Sequence, residues 1–188
     1  MLEEEMTRWT IDLALIDYVL ALIVGLRSAG VPCESTRISR DENVARGLWT
    51  AGCLLLWLHI LLVFHFYHDW SHTNAVEHTA QETAAIVGIK FGSGVWFNYV
   101  FAAVWTADMV WWHLSPLSYR HRSPWISGLI HFYLAFIIFN ATVVFKTGPL
   151  RWAGIIATVL LAMLWIRKIL LARVARNPAS VTMAPEKQ

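Results

Sequence analysis

An all-α integral membrane helical bundle of about five transmembrane helices is the fold this sequence predicts, and three observations predict it. Of its 188 residues 57% are hydrophobic and only 15% charged, against roughly 25% charged in a soluble domain. Apolar runs close to the roughly 20 residues that cross hydrocarbon recur along the chain. Eleven Trp, nine Phe and five Tyr gather near the ends of those runs, where amphipathic rings favour the headgroup layer.

The runs fall at about 9–26, 47–67, 93–115, 125–146 and 152–171. Asp12 and Asp17 interrupt the first, each costing about 2.5 to 3.5 kcal/mol at a helix centre on insertion scales, so four spans remain if that run is interfacial. Ser39-Arg40-Asp41-Glu42 fits a capping box, which starts the second helix outside the membrane. Ser115-Pro116 ends the third helix, and Pro124 suits the first turn of the fourth, where no amide hydrogen is needed. Gly148-Pro149 separates the fourth from the fifth. Residues 1–176 therefore read as one transmembrane domain, and 177–188 as a polar, disordered tail.

Several classes are excluded by composition. A net charge of +2 without a basic face argues against nucleic acid as a partner. Cys33 and Cys53 have no CxxC spacing and make no disulfide framework. The acidic start, Glu3-Glu4-Glu5, does not suit a cleaved signal, which begins with positive charge. Orientation follows from the cations. Arg27, Arg37, Arg40, Arg46, Arg120, Arg122, Arg167, Lys168, Arg173, Arg176 and Lys187 collect on one side, against Arg8, Lys90, Lys146 and Arg151 on the other. The positive-inside rule then puts the C-terminus in the cytoplasm of a bacterial-type inner membrane, with the N-terminus and the segment 68–90 external.

That external segment is the most unusual local sequence. Four of the eight histidines, His65, His68, His72 and His78, lie within fourteen residues, beside Asp69, Glu77 and Glu82. On a continuous helix His65, His68, Asp69 and His72 share an arc of about 100°. Neutral imidazole suits zinc, copper and iron, and a carboxylate can ligate or orient a ring. His65, His68, His72, Asp69, His78 and Glu82 are thus the candidate metal ligands, with iron or copper first. Three ligands along about 10 Å of one helix cannot reach one ion, so the chain should turn near Ser71 to Asn74 and fold His78 or Glu82 back. An interfacial polar patch explains the same residues without chemistry.

Polar residues inside the runs form two expected pairs. Counting about 1.5 Å per residue from the inner helix ends puts Asp108 and His131 at about 10 and 9 Å, and Asp17 and His59 at about 15 and 18 Å. Ionisable groups at such depth face the protein interior and mark functional sites or tie helices together. A b-type haem ranks lower, because its two axial histidines need a common level and His59 lies about 9 Å from that of His131.

These features point to a multi-pass membrane protein with an outer-face histidine and carboxylate metal site, coupled to electron or proton transfer. The alternative is a non-catalytic accessory or scaffold subunit of a membrane complex. Its partners are then the lipid bilayer and other membrane subunits or copies of itself. A transporter is disfavoured, since paired Gly/Pro-broken helices are lacking.

Overall fold

The computed structural model describes residues 2–28 and 39–176, with side chains throughout except at 27–28, 149–150 and 167–176. The segment 177–188, read above as a tail, and Cys33 lie outside the described residues. Within them the protein is an all-α bundle without strands: α1 (Leu2–Ser28), α2 (Arg40–Phe66), α3 (His72–Val87), α4 (Val95–Leu114), α5 (Pro116–Arg120), α6 (Pro124–Phe139) and α7 (Pro149–Arg176). A 3-10 turn at Gly92–Gly94 leads into α4, and a π turn at Asn140–Val144 continues α6.

The helix ends follow local chemistry. The Ser39 hydroxyl accepts from the Glu42 amide at 3.1 Å and caps α2. The Glu42 carboxylate does not close the capping box; it reaches Arg120 instead. Pro124 stands in the first turn of α6 behind the Ser123 cap. Gly148, at φ 72°, occupies the left-handed region just before Pro149 opens α7, a conformation that costs glycine little.

Among the described residues three helical segments are long and apolar enough to cross a membrane: Leu2–Leu26, Arg40–Phe66 and Pro124–Val144. The pair His72–Val87 and Gly92–Leu114, bent by 108°, makes a fourth if taken together, while the apolar part of α7 within the described side chains is the shorter Arg151–Ile166. Among the described residues this makes three such spans, or four with the bent pair, and they correspond to the first four runs of the sequence; α7 itself continues to Arg176.

α1 and α2 form the main pair. Thr7, Thr10, Ala14, Tyr18 and Ala21 make one buried stripe on α1, facing Ala45, Trp49, Gly52, Cys53 and Leu56 of α2. These are helical spacings of three and four, and the small residues let backbones approach closely. At Gly52 the approach is closest: an added Cβ would stand 2.9 Å from the Trp105 ring of α4 and 3.2 Å from the Ala14 carbonyl oxygen. Phe101, Ala102 and Trp105 of α4 and Leu134 of α6 complete the core. Tyr18, Trp49 and Trp105 meet at its centre, with ring centroids 5.3 to 5.5 Å apart.

Candidate functional site

The strongest buried electrostatic feature is at the end of the bundle where α4 hands over to α6. Asp108, 2% exposed, lies on the face of α4 that also carries Trp105 and Phe101. A carboxylate buried this deeply requires charge-assisted partners. It obtains both from the following fourteen residues, because α5 is a single short helix that turns the chain back over α4. Tyr119 donates its hydroxyl hydrogen to Asp108 Oδ2 at 2.9 Å, and Arg122 donates from Nη1 to Oδ1. The Arg122 guanidinium also donates from Nε to Ser127 Oγ at 2.6 Å and lies 3.9 Å from the centroid of the Tyr119 ring. Tyr119 in turn stacks on Trp112, 4.6 Å away and nearly parallel. Burial, and after it the charge of Asp108, pushes the Tyr119 hydroxyl far above the usual phenol range.

A second ion pair stands beside the first. Arg120 donates from Nε to Glu42 Oε1 at 2.9 Å and pairs through its Nη2 as well, so α5 is tied to the first turn of α2. Glu42, Tyr119, Arg120, Arg122, Ser127 and His131 contribute to the wall of a cleft of about 2050 Å³ between α1, α2, α6 and α7. Away from these groups the wall is largely apolar: Leu15, Val19 and Leu22 of α1, Phe132 and Ala135 of α6, and Ala157, Leu161 and Trp165 of α7. Small side chains line much of the cleft, and α7 closes onto α6 at one edge of it. An added Cβ at Gly154 of α7 would stand 2.6 Å from Thr142 Oγ1 in the π turn.

His131 lies in this wall with its ring edge-on to Trp49, the centroids 5.5 Å apart. The partners that the structure gives the Asp108 oxygens are Tyr119 and Arg122. His59 and Asp17, the second expected pair, have these neighbours. His59 Nδ1 lies 2.9 Å from the Thr7 carbonyl oxygen and 3.5 Å from Thr10 Oγ1, while Asp17 packs beside Gly52. The small-residue contacts set the α1–α2 register, with Gly25 against Ala45, and this puts the level of His59 at Thr7 and Thr10.

At the opposite end of the bundle the histidine segment divides. α2 stops at Phe66, and two successive left-handed residues, Asp69 (φ 46°) and Trp70 (φ 57°), reverse the chain. The Trp70 amide donates to the Phe64 carbonyl at 3.0 Å and closes the chain over the end of α2. The turn thus comes at Tyr67 to Trp70, slightly before the expected Ser71 to Asn74. It folds His78 back onto His68, with ring centroids 5.4 Å apart. His72 lies 3.0 Å from the Tyr99 hydroxyl, and His65 packs against Phe66 and Trp70. Among the described residues no group of three or more His, Cys, Asp or Glu side chains is arranged to hold a metal ion. The expected convergence of His65, His68 and His72 with Asp69 or Glu82 is reduced to His68 with His78, since the broken helix sends the other two rings elsewhere. Burial first, and the neighbouring His78 second, hold the His68 pKa below the ordinary imidazole value.

Tyr119, Arg120, Arg122 and Glu42 are the site residues that sequence reasoning missed. A signal was present: a tyrosine and an arginine follow Asp108 across a proline-marked turn, close enough to return to it. Comparison with known protein families, with characterised proteins and with solved structures finds no match.

Proposed function

We propose that this chain is a multi-pass inner-membrane protein that binds an amphiphile in the cleft between α1, α2, α6 and α7. The polar group of the ligand meets the charged floor and its apolar chain lies along α1, α6 and α7. The observation that carries this reading is one cleft with a charged floor, formed by Glu42, Arg120, Arg122 and His131, and a wall that is otherwise mostly apolar, with Asp12, Thr142 and Thr158 as its other polar residues. Two ion pairs in the floor fix its shape, and an amphiphile matches a cavity with a charged floor and a mostly apolar wall. In the orientation given by the cations, the floor faces the cytoplasm, the C-terminus is cytoplasmic and the histidine segment is external.

The test uses Gly128, which lines the cleft and has nothing within 4 Å of an added Cβ, so that Gly128→Trp introduces a bulky ring into the cleft from a position with room for a side chain. Native mass spectrometry of the full chain released from mild detergent should show about one retained amphiphile, lost in the folded Gly128→Trp variant. Equal retention in both would place the lipid outside the cleft and end the proposal. The accessory-subunit reading draws on the same opening, which a partner helix would fill; co-purification of a stoichiometric second protein, lost in Gly128→Trp, would favour it instead.

A further inference from the structure

α3 has two faces. At about 100° per residue Val76, Thr79, Ala80, Thr83, Ile86 and Val87 share one side of the helix, and Asn74, Glu77 and Gln81 share the opposite one. The first half of the apolar face is covered by the returning chain: an added Cβ at Gly92 would stand 2.7 Å from Val76 Cγ1, and one at Gly94 3.2 Å from Thr79 Cγ2. His72 Nδ1, 3.0 Å from the Tyr99 hydroxyl, ties the start of α3 to α4. The second half is left open. Val87 continues the same face about 10 Å beyond Ala80 and yet is 60% exposed. Ile86 is exposed beside it, and Ile89 (69%) and Phe91 follow after the left-handed Gly88.

Exposed apolar residues this closely spaced mark an interaction surface. Geometry and continuity identify what covers it. The 3-10 turn at Gly92–Gly94 sits on the apolar face of α3, and α4 departs from that face at a bend of 108°. With α4 crossing the bilayer, α3 runs roughly in the membrane plane, its apolar face toward hydrocarbon and its polar face toward water. Along the chain the exposed apolar side chains then continue into Trp96, Phe97 and Val100, on the outer surface of α4. Tryptophan near the start of a span favours the headgroup layer. Lys90 is the single charged residue between Glu82 and Asp108, and a lysine stem lies along apolar surface while its ammonium reaches the headgroups.

We propose that α3 is an interfacial helix, and that residues 86–91 project past the bundle and insert among lipids at the headgroup and upper acyl level. This lipid-anchoring surface is separate from the cleft and does not depend on what the cleft binds. Amphipathic helices bind membranes in this posture, with the apolar side sunk just below the headgroups.

The experiment places a nitroxide on Val87→Cys, Ile89→Cys, Glu77→Cys and Gln81→Cys, each in the full chain with Cys33→Ser, in phosphatidylcholine nanodiscs. All four side chains are exposed, so the substitutions leave the packing intact, and Cys53 is fully buried. EPR relaxation is read with oxygen, which concentrates among acyl chains, and with a nickel chelate, which stays in water. The ratio of oxygen to nickel accessibility should be several-fold higher at residues 87 and 89 than at 77 and 81. Free access of the nickel chelate to all four sites would overturn the proposal, because the hairpin would stand in water. Shielding of residues 87 and 89 from both reagents would overturn it in favour of a second copy of the chain as the cover. Oxygen dominating at all four would place α3 inside the hydrocarbon and contradict the interfacial posture.

Discussion

Tyr119 Oη donates to Asp108 Oδ2 at 2.9 Å, joining a residue deep in α4 to the short helix that follows it. Arg122 takes the other carboxylate oxygen, so the Asp108 charge is neutralised by the turn that leads into α6. Removing one partner of such a pair leaves the other buried and uncompensated, at a cost of about 3 to 5 kcal/mol. Asp108→Asn and Arg122→Gln should each lower thermal stability in detergent substantially, and the double variant should lose clearly less than the two single losses together. Additive losses would show that the two groups do not interact.

The raised Tyr119 pKa has a sign that can be checked. A phenol held protonated in the folded state contributes stability that is present below its unfolded pKa, about 10, and is lost as pH rises from there through the folded value. Between about pH 10 and 12 the protein should therefore lose stability with a steeper slope than Tyr119→Phe, although that variant starts lower for want of the hydrogen bond to Asp108. Identical alkaline slopes in the two proteins would contradict a buried, protonated Tyr119.

Much of the architecture was legible because hydrophobic runs and helix caps are local. Ser39, Ser115-Pro116, Pro124 and Gly148-Pro149 mark boundaries that the structure keeps. α3 was not legible: His72–Val87 mixes polar residues with small apolar ones, and its start depends on a left-handed turn at Asp69 and Trp70 that no glycine announces. The importance of Asp108 could be read from its charge within an apolar run. Its partners could not be read from depth, since level counting compares straight helices and ignores a chain that doubles back. Arg122 had been counted only as a topology signal. His59 went to Thr7 and Thr10 because register depends on which small residues touch, a property of the helix pair rather than of either helix.

For metal, the fold concentrates the prospect on one pair. Two imidazoles bound at about 2.0 to 2.1 Å to one tetrahedral zinc ion stand about 5 Å apart centre to centre, close to the 5.4 Å between His68 and His78. Zinc or copper added to metal-stripped protein should bind through these two rings. His68→Ala and His78→Ala should each remove the binding, while His65→Ala and His72→Ala leave it in place. Loss of binding in His72→Ala equal to that in His68→Ala would instead restore the arrangement expected from the sequence.

Photolabelling tests the amphiphile cleft most directly. A lipid carrying a photoactivatable group along its apolar chain is reconstituted with the full protein, illuminated, and the modified peptides are located by mass spectrometry. Labels should concentrate on the partly buried residues lining the cleft, Val19 and Leu22 of α1 and Leu161 of α7, and should fall there in Gly128→Trp. Leu54, Leu58 and Leu61, on the exposed face of α2 and outside the cleft, supply the comparison. Labelling of those leucines at the same density as the cleft, unchanged by Gly128→Trp, would mean that the lipid only coats the bundle and that the cleft holds no ligand.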